Sequence, residues 1–154
     1  MFVIRDMLPG EADQKGHVHY QTWLETYTGL IDEAFLANQT LEKCQTIARK
    51  WPDNTLIAEL DGKMVGYCCY GKEDSGAGHI FALYLLKEAQ GIGLGRKLMN
   101  AAMDRLSECC PITLGVLEGN QQAIGFYEHY GFRFSGNSQV LRFGNELEMI
   151  YQPK

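Results

Sequence analysis

The chain has 154 residues and a formal net charge of −5, a length that suits one domain able to bury its own core without a metal or a disulfide. No Lys/Arg run stands out, which argues against binding through nucleic-acid phosphates. No stretch approaches the ~18 apolar residues of a membrane span, and Met1-Phe2-Val3-Ile4-Arg5-Asp6 has neither the basic start nor the apolar run of a signal peptide. Four of the five cysteines form adjacent pairs, Cys68-Cys69 and Cys109-Cys110, with Cys44 alone. That pattern is a poor disulfide framework and contains no Cys-x-x-Cys, so all five are expected to be free, buried small hydrophobes in a cytoplasmic protein.

In chain order, residues 2–5 are expected to form a strand, and Pro9-Gly10 a turn. From Ala12 to Tyr27 the apolar residues fall at helical spacing, with Gly29 ending the helix. A second helix runs through Leu41, Cys44, Ile47 and Ala48 and stops at Pro52. Thr55–Leu60 and Met64–Tyr70 are strands joined by the hairpin dipeptide Asp61-Gly62. Residues 71–78 are expected to form a loop. Ile80-Phe81-Ala82-Leu83-Tyr84-Leu85-Leu86 is continuously apolar and predicts a central strand buried on both faces.

A glycine-rich turn follows. A helix then runs from Gly95 to about Glu108, with Leu98, Ala102 and Leu106 in one row, until Pro111 breaks it. Ile112–Leu117 is a buried strand. Asn120 caps a helix over Gln121–Tyr130, and Gly131 closes it. Phe132–Gly136 and about Leu141–Tyr151 are closing strands, with Gly144-Asn145 as a bulge or turn. Without repeats or a linker, this order is one α/β domain (α+β in some schemes) over residues 1–154 with a mixed sheet.

The turn Gln90-Gly91-Ile92-Gly93-Leu94-Gly95-Arg96 sits between an apolar strand and an amphipathic helix. The first turn of a helix leaves backbone N–H groups without partners, and the helix dipole makes that end positive. Glycines let the backbone take positive φ and approach a ligand closely. The combination makes an anion site, usually for phosphate. It is not a P-loop, because Arg96 stands where the second glycine is required, nor a dinucleotide fingerprint, because Arg96 or Leu98 stands at the third.

Gln90-x-x-Gly93-x-Gly95 resembles the Gln/Arg-x-x-Gly-x-Gly/Ala motif of the GCN5-related N-acetyltransferase (GNAT) family. A second block at the right distance, Asn120-x-x-Ala123-x-x-Phe126-Tyr127-x-x-x-Gly131-Phe132, is similar to another of the family's motifs. His19-x-x-x-Trp23-x-x-x-Tyr27-x-Gly29-Leu30 resembles many bacterial members less specifically.

The resemblance implies a mixed, mostly antiparallel sheet splayed between its fourth and fifth strands and flanked by helices. It implies acetyl-CoA as co-substrate and no metal. The pyrophosphate would be held by the amides of Gly91, Ile92, Gly93, Leu94, Gly95 and Arg96, with Gln90 opening the motif. Main-chain groups of Leu83, Tyr84 and Leu85 would meet the pantetheine arm and the thioester, Asn120 would contact the cofactor, and Tyr127 would protonate the departing thiolate. A tyrosine with a pKa of about 10 is protonated at neutral pH and suited to that task.

The acceptor is expected to be a primary amine of a small molecule or peptide, attacking directly in a ternary complex, with neither nucleic acid nor membrane as partner. The family also allows a homodimer. An alkylammonium needs a base or a water chain to take its proton, and Glu25, Glu59, Glu73, His17, His19 and His79 are the candidate bases, while His129 reads as surface. Trp23, Tyr27 and the loop around Leu30 either line the acceptor pocket or pack the first helix on the sheet. The alternative to an enzyme is an acyl-CoA-binding sensor without turnover.

Overall fold

The computed structural model describes residues 1–152. Its elements are β1 (Phe2–Asp6), α1 (Ala12–Tyr27), α2 (Glu33–Asn38), α3 (Leu41–Lys50), β2 (Thr55–Leu60), β3 (Lys63–Lys72), β4 (Gly78–Leu85), a 3-10 turn (Lys87–Ala89), α4 (Leu94–Arg105), β5 (Ile112–Leu117), α5 (Gln121–Tyr130), β6 (Phe132–Leu141) and β7 (Gly144–Tyr151). Local chemistry fixes most of the ends. Thr40 accepts the Lys43 N–H to start α3, and Asn120 accepts the Ala123 N–H to start α5. Asp61 and Gly62 both have positive φ, +51° and +84°, as a two-residue primed hairpin requires.

The seven strands form one sheet in the order β1-β2-β3-β4-β5-β7-β6. Every pairing is antiparallel except β4–β5, which is parallel. That ladder is short: Gly78–Ile80 lie opposite Ile112–Leu114, and beyond them the two strands part. On one face, Leu98, Met99, Ala102 and Leu106 of the α4 region and Ile124 and Tyr127 of α5 pack on Leu114, Val116, Phe132 and Met149. On the other, Val18 of α1 meets Ile57, Met64 and Tyr67. A third cluster, Trp23, Ile31, Leu36 and Leu117, closes the far end of that face.

The structure corrects four expectations. β4 is not buried on both faces: Phe81 is 67% exposed, and Leu83, Tyr84 and Leu85 are half-buried. The reason is the parted ladder, which opens a cleft along the strand. Phe81 is also the extra residue of a bulge, since Cys69 pairs with Ala82 and Tyr70 with Ile80. The expected loop at 71–78 shrinks to residues 73–77, because its ends join β3 and β4. β6 runs on to Leu141 past an irregularity between Phe134 and Ser138, and the turn falls at residues 142–143, before Gly144-Asn145. The cysteines are all free, but Cys110 is exposed and Cys69 and Cys109 are half-buried.

At the sheet's first edge, Arg5 donates to both oxygens of Glu11 at 2.8 Å and to Glu59. The Arg5 hydrogen bonds pull the Glu11 pKa down from 4.5 to about 2, with the Leu8 N–H assisting. A depressed carboxylate pKa contributes stability that is present above the ordinary value and lost as pH falls towards the folded one. Urea unfolding between about pH 5 and pH 2 is therefore expected to show stability falling with acid. In Glu11→Gln that part of the fall should vanish, and an unchanged slope would contradict the assignment.

Candidate functional site

The turn after β4 is shaped by two left-handed residues, Gly91 and Gly93, each with φ +81°. Nothing lies within 4 Å of a Cβ built on either, so the requirement is conformational, not one of space. Gly93 is the N-cap of α4 and offers no side-chain cap. Among the described residues, no carbonyl or side chain accepts from the backbone N–H groups of residues 91–96. Six consecutive free donors at the positive end of a twelve-residue helix are chemically suited to an anion.

Gln90 holds this turn in place. Its Nε2 donates to the Leu85 carbonyl at 3.0 Å, and its Oε1 accepts from Gln122 of α5 at 3.0 Å. One side chain thereby ties the end of β4, the turn and α5 together. The turn opens into a cleft of about 450 Å³ between β4, β5, α1 and α5. Of the residues expected in the site, Leu83, Tyr84, Leu85, Gln90, Gly91, Gly93, Gly95, Arg96, Asn120 and Tyr127 line this cleft. Ile92 points outwards, 51% exposed, and Leu94 lies in the core at 1%, so any part they take is through their backbone alone.

Beyond Ile80, β4 has lost its β5 partner while still paired to β3. Its open edge can accept an extended, amide-bearing ligand in the way a sheet accepts an added strand. Leu83 and Leu85 turn their side chains into the α4/α5 core, whereas Tyr84 turns towards α1. There its hydroxyl accepts from Trp23 Nε1 at 3.0 Å. Arg96 lays its guanidinium over the Tyr130 ring, 5.3 Å from the centroid.

Tyr127 enters from α5, only 8% exposed, with its ring edge-on to Phe126 and Phe132. Burial pushes its hydroxyl pKa well above the ordinary value, so the group stays protonated across the neutral range. Asn120 caps α5 and lines the cleft at once.

The other end of the cleft is aromatic. Trp23 packs edge-on to Tyr27 and Phe143, with centroids 4.7 and 5.3 Å away, and all three line the cavity. Leu30 is 48% exposed and lies outside it. Phe143 escaped the sequence reading because it belongs to the β6–β7 turn, where no periodicity marks it.

Residues 17–132 match the sequence model of the Acetyltransferase (GNAT) family. The chain belongs to the GNAT family. A probable spermine N(1)-acetyltransferase from Bacillus subtilis subsp. natto is 34% identical over 100 residues, which are 58% of this chain and 64% of that protein. The peptidyl-lysine N-acetyltransferase YjaB of Escherichia coli is 35% identical over 72 residues, 47% of each. The chain therefore spans less than two thirds of the length of these curated relatives. A PaiA N-acetyltransferase from Thermoplasma acidophilum, solved in complex with coenzyme A, superposes with a TM-score of 0.80 over 99% of both chains at 19% identity, a likeness of fold.

In this GNAT chain none of the six base candidates lines the larger cleft. Glu59 is paired with Arg5, Glu25 accepts the Lys87 N–H at 3.0 Å, and Glu73 accepts from Ser75. His17 is exposed. His19 is stacked on Tyr84, and burial, assisted by Lys15, lowers its pKa to about 4. His79 pairs Nδ1 with the Thr113 hydroxyl at 2.8 Å and lines a second cavity of about 340 Å³. Among the described residues the one carboxylate lining the larger cleft is Glu146 of β7, which carries no signal in the sequence. Among the described residues no group of three or more His, Cys, Asp or Glu is placed to hold a metal, and no helix is long and apolar enough to cross a membrane.

Proposed function

We propose that the chain is an N-acetyltransferase that moves the acetyl group of acetyl-CoA to a primary amine by direct attack in a ternary complex. The observation that carries this reading is the run of unpartnered amides at residues 91–96, of which Gly91, Gly93, Gly95 and Arg96 line the cleft where β4 and β5 part. The turn receives the pyrophosphate, and the open β4 edge receives the pantetheine arm. The thioester then lies between that edge and Tyr127.

The amine lone pair attacks the thioester carbonyl carbon, and the charge that builds on its oxygen is met by a β4 backbone N–H. The C–S bond breaks, the acetyl group stays on nitrogen, the sulfur takes its proton from Tyr127, and the proton that the nitrogen gives up restores the tyrosine. The aromatic end formed by Trp23, Tyr27 and Phe143 receives the acceptor, since aromatic faces suit an alkylammonium. Relatives named for spermine and for peptidyl-lysine support a primary amine as the acceptor class.

Thermal unfolding with acetyl-CoA, and with NAD and ATP as controls, tests the donor. A ligand at 100 times its dissociation constant adds about 2.7 kcal/mol, a rise of roughly 5–10 °C for a chain of this size. A shift with acetyl-CoA alone is expected. No shift with acetyl-CoA overturns the reading. Free-thiol release with spermine and a lysine-containing peptide then tests transfer, and donor binding without transfer to any amine would make the chain an acyl-CoA sensor.

A further inference from the structure

Glu146 is the carboxylate that reaches the cleft from the far half of the sheet. β7 places it opposite Leu117, beyond the last β4–β5 pair, where the two strands have parted. From there its side chain lies over Gly115. A Cβ built on Gly115 would stand 2.5 Å from Glu146 Cδ and 2.6 and 2.9 Å from its two oxygens. Any side chain at 115 would expel the carboxylate, so the glycine provides its seat.

The neighbouring acids are engaged: Glu148 accepts from Asn137 Nδ2 at 3.1 Å, and Glu118 accepts from Asn145 Nδ2 at 3.1 Å. Glu146 accepts no side-chain hydrogen bond and pairs with no cation among the described residues. It also stands at a junction. The larger cleft and the second cavity share Leu114, Gly115 and Glu146, so this carboxylate borders both.

We propose that Glu146 binds the acceptor's ammonium group beside the thioester and takes one proton from it before attack. This rests on the acetyltransferase reading. The ammonium forms a charge-assisted hydrogen bond with the carboxylate and passes a proton to Glu146 Oε. The neutral nitrogen then attacks the carbonyl carbon and the C–S bond breaks. The second proton released from nitrogen balances the one that Tyr127 gives to sulfur. The proton on Glu146 leaves to solvent through the second cavity, completing the exchange of an ammonium and a thioester for an amide, a thiol and one proton. That cavity runs on past Glu148, giving an extended polyamine room beyond its reacting end.

The titratable groups that face Glu146 are Tyr27 from α1, His79 from β4 and Glu148 from β7. Burial raises the Tyr27 pKa, which keeps that hydroxyl neutral beside the carboxylate, and lowers that of His79, which disfavours its becoming the counter-ion.

The test compares wild type with Glu146→Gln, which keeps the shape and removes the charge and the base. Coenzyme A affinity, spermine affinity of the coenzyme A complex, and kcat/KM for spermine from about pH 6 to pH 10 are measured. With Glu146 as base, the reacting complex carries the same number of protons as the bound carboxylate–ammonium pair. The wild-type profile is therefore flat until the amine itself titrates. Without the base, only the neutral amine reacts, and the rate rises about tenfold per pH unit below the amine's pKa.

Expected for Glu146→Gln are unchanged coenzyme A affinity, at least about tenfold weaker spermine binding, a roughly hundredfold loss in kcat/KM at pH 7 and the sloping profile. Wild-type values, the same slope in both proteins, or loss of coenzyme A binding by the variant overturns the assignment. Failure of the wild type to bind acetyl-CoA is a separate result, read on the coenzyme alone, and overturns the parent reading.

Discussion

Replacing Tyr127 by phenylalanine is expected to lower kcat by about a hundredfold, the usual contribution of one positioned proton donor. Acetyl-CoA affinity should not change, because the ring keeps its contacts with Phe126 and Phe132 and only the oxygen is lost. The pH profile adds a second reading. Because burial raises the pKa of Tyr127 far above its ordinary value, the donor stays protonated through the range where the amine titrates. Any alkaline fall in the wild type should therefore follow the titration of the amine and not that of Tyr127. A Phe variant that turns over at the wild-type rate removes Tyr127 from the mechanism and leaves the thiolate to solvent.

The second large effect is expected at the glycine turn, and it comes with its own control. Gly93→Ala forces an L-residue into the left-handed region at φ +81°, at a cost of roughly 1–2 kcal/mol. The chain either keeps the turn with that loss of stability or relaxes it and disperses the amides. We expect acetyl-CoA affinity to fall about tenfold or more, because several N–H groups lose their common aim. Gly95→Ala is the comparison. Its added Cβ would meet Phe126 at 3.7 Å and Leu85 at 3.8 Å, ordinary contact, and its backbone is helical. It should bind acetyl-CoA as the wild type does. Equal affinities in the two variants would mean that the turn's backbone conformation does not matter to the donor.

Elements whose ends carry their own chemistry were legible in the sequence. α1 and α5 have the expected bounds because a glycine and an asparagine mark where the backbone groups find partners. The turn was legible because a helix start with glycines has few other uses. α2 was not: it is six residues long, too short for a periodic pattern, and rests on Asp32 capping Phe35. The apolar run of β4 was read as core because hydrophobicity does not distinguish a residue facing another layer from one facing a cleft. Glu146 was missed for a related reason. Alternating with Leu147 and Met149, it reads as the solvent side of a strand. Its position depends on register against Leu117 and on the missing side chain at Gly115, and both are relations between distant segments.

The shortness of the β4–β5 ladder also bears on how the molecule holds together. β1–β4 and β5–β7 are two sub-sheets with longer ladders inside each, joined edge to edge by three residue pairs. Backbone cooperativity is weakest at such a seam, and native-state opening concentrates where few bonds must break. The helices α4 and α5 bridge it through a core shared by strands of both halves. A guest that bonds to the free edge of β4 while touching α5 spans the seam. Its binding energy then also resists separation of the two halves, so occupancy and rigidity are thermodynamically linked.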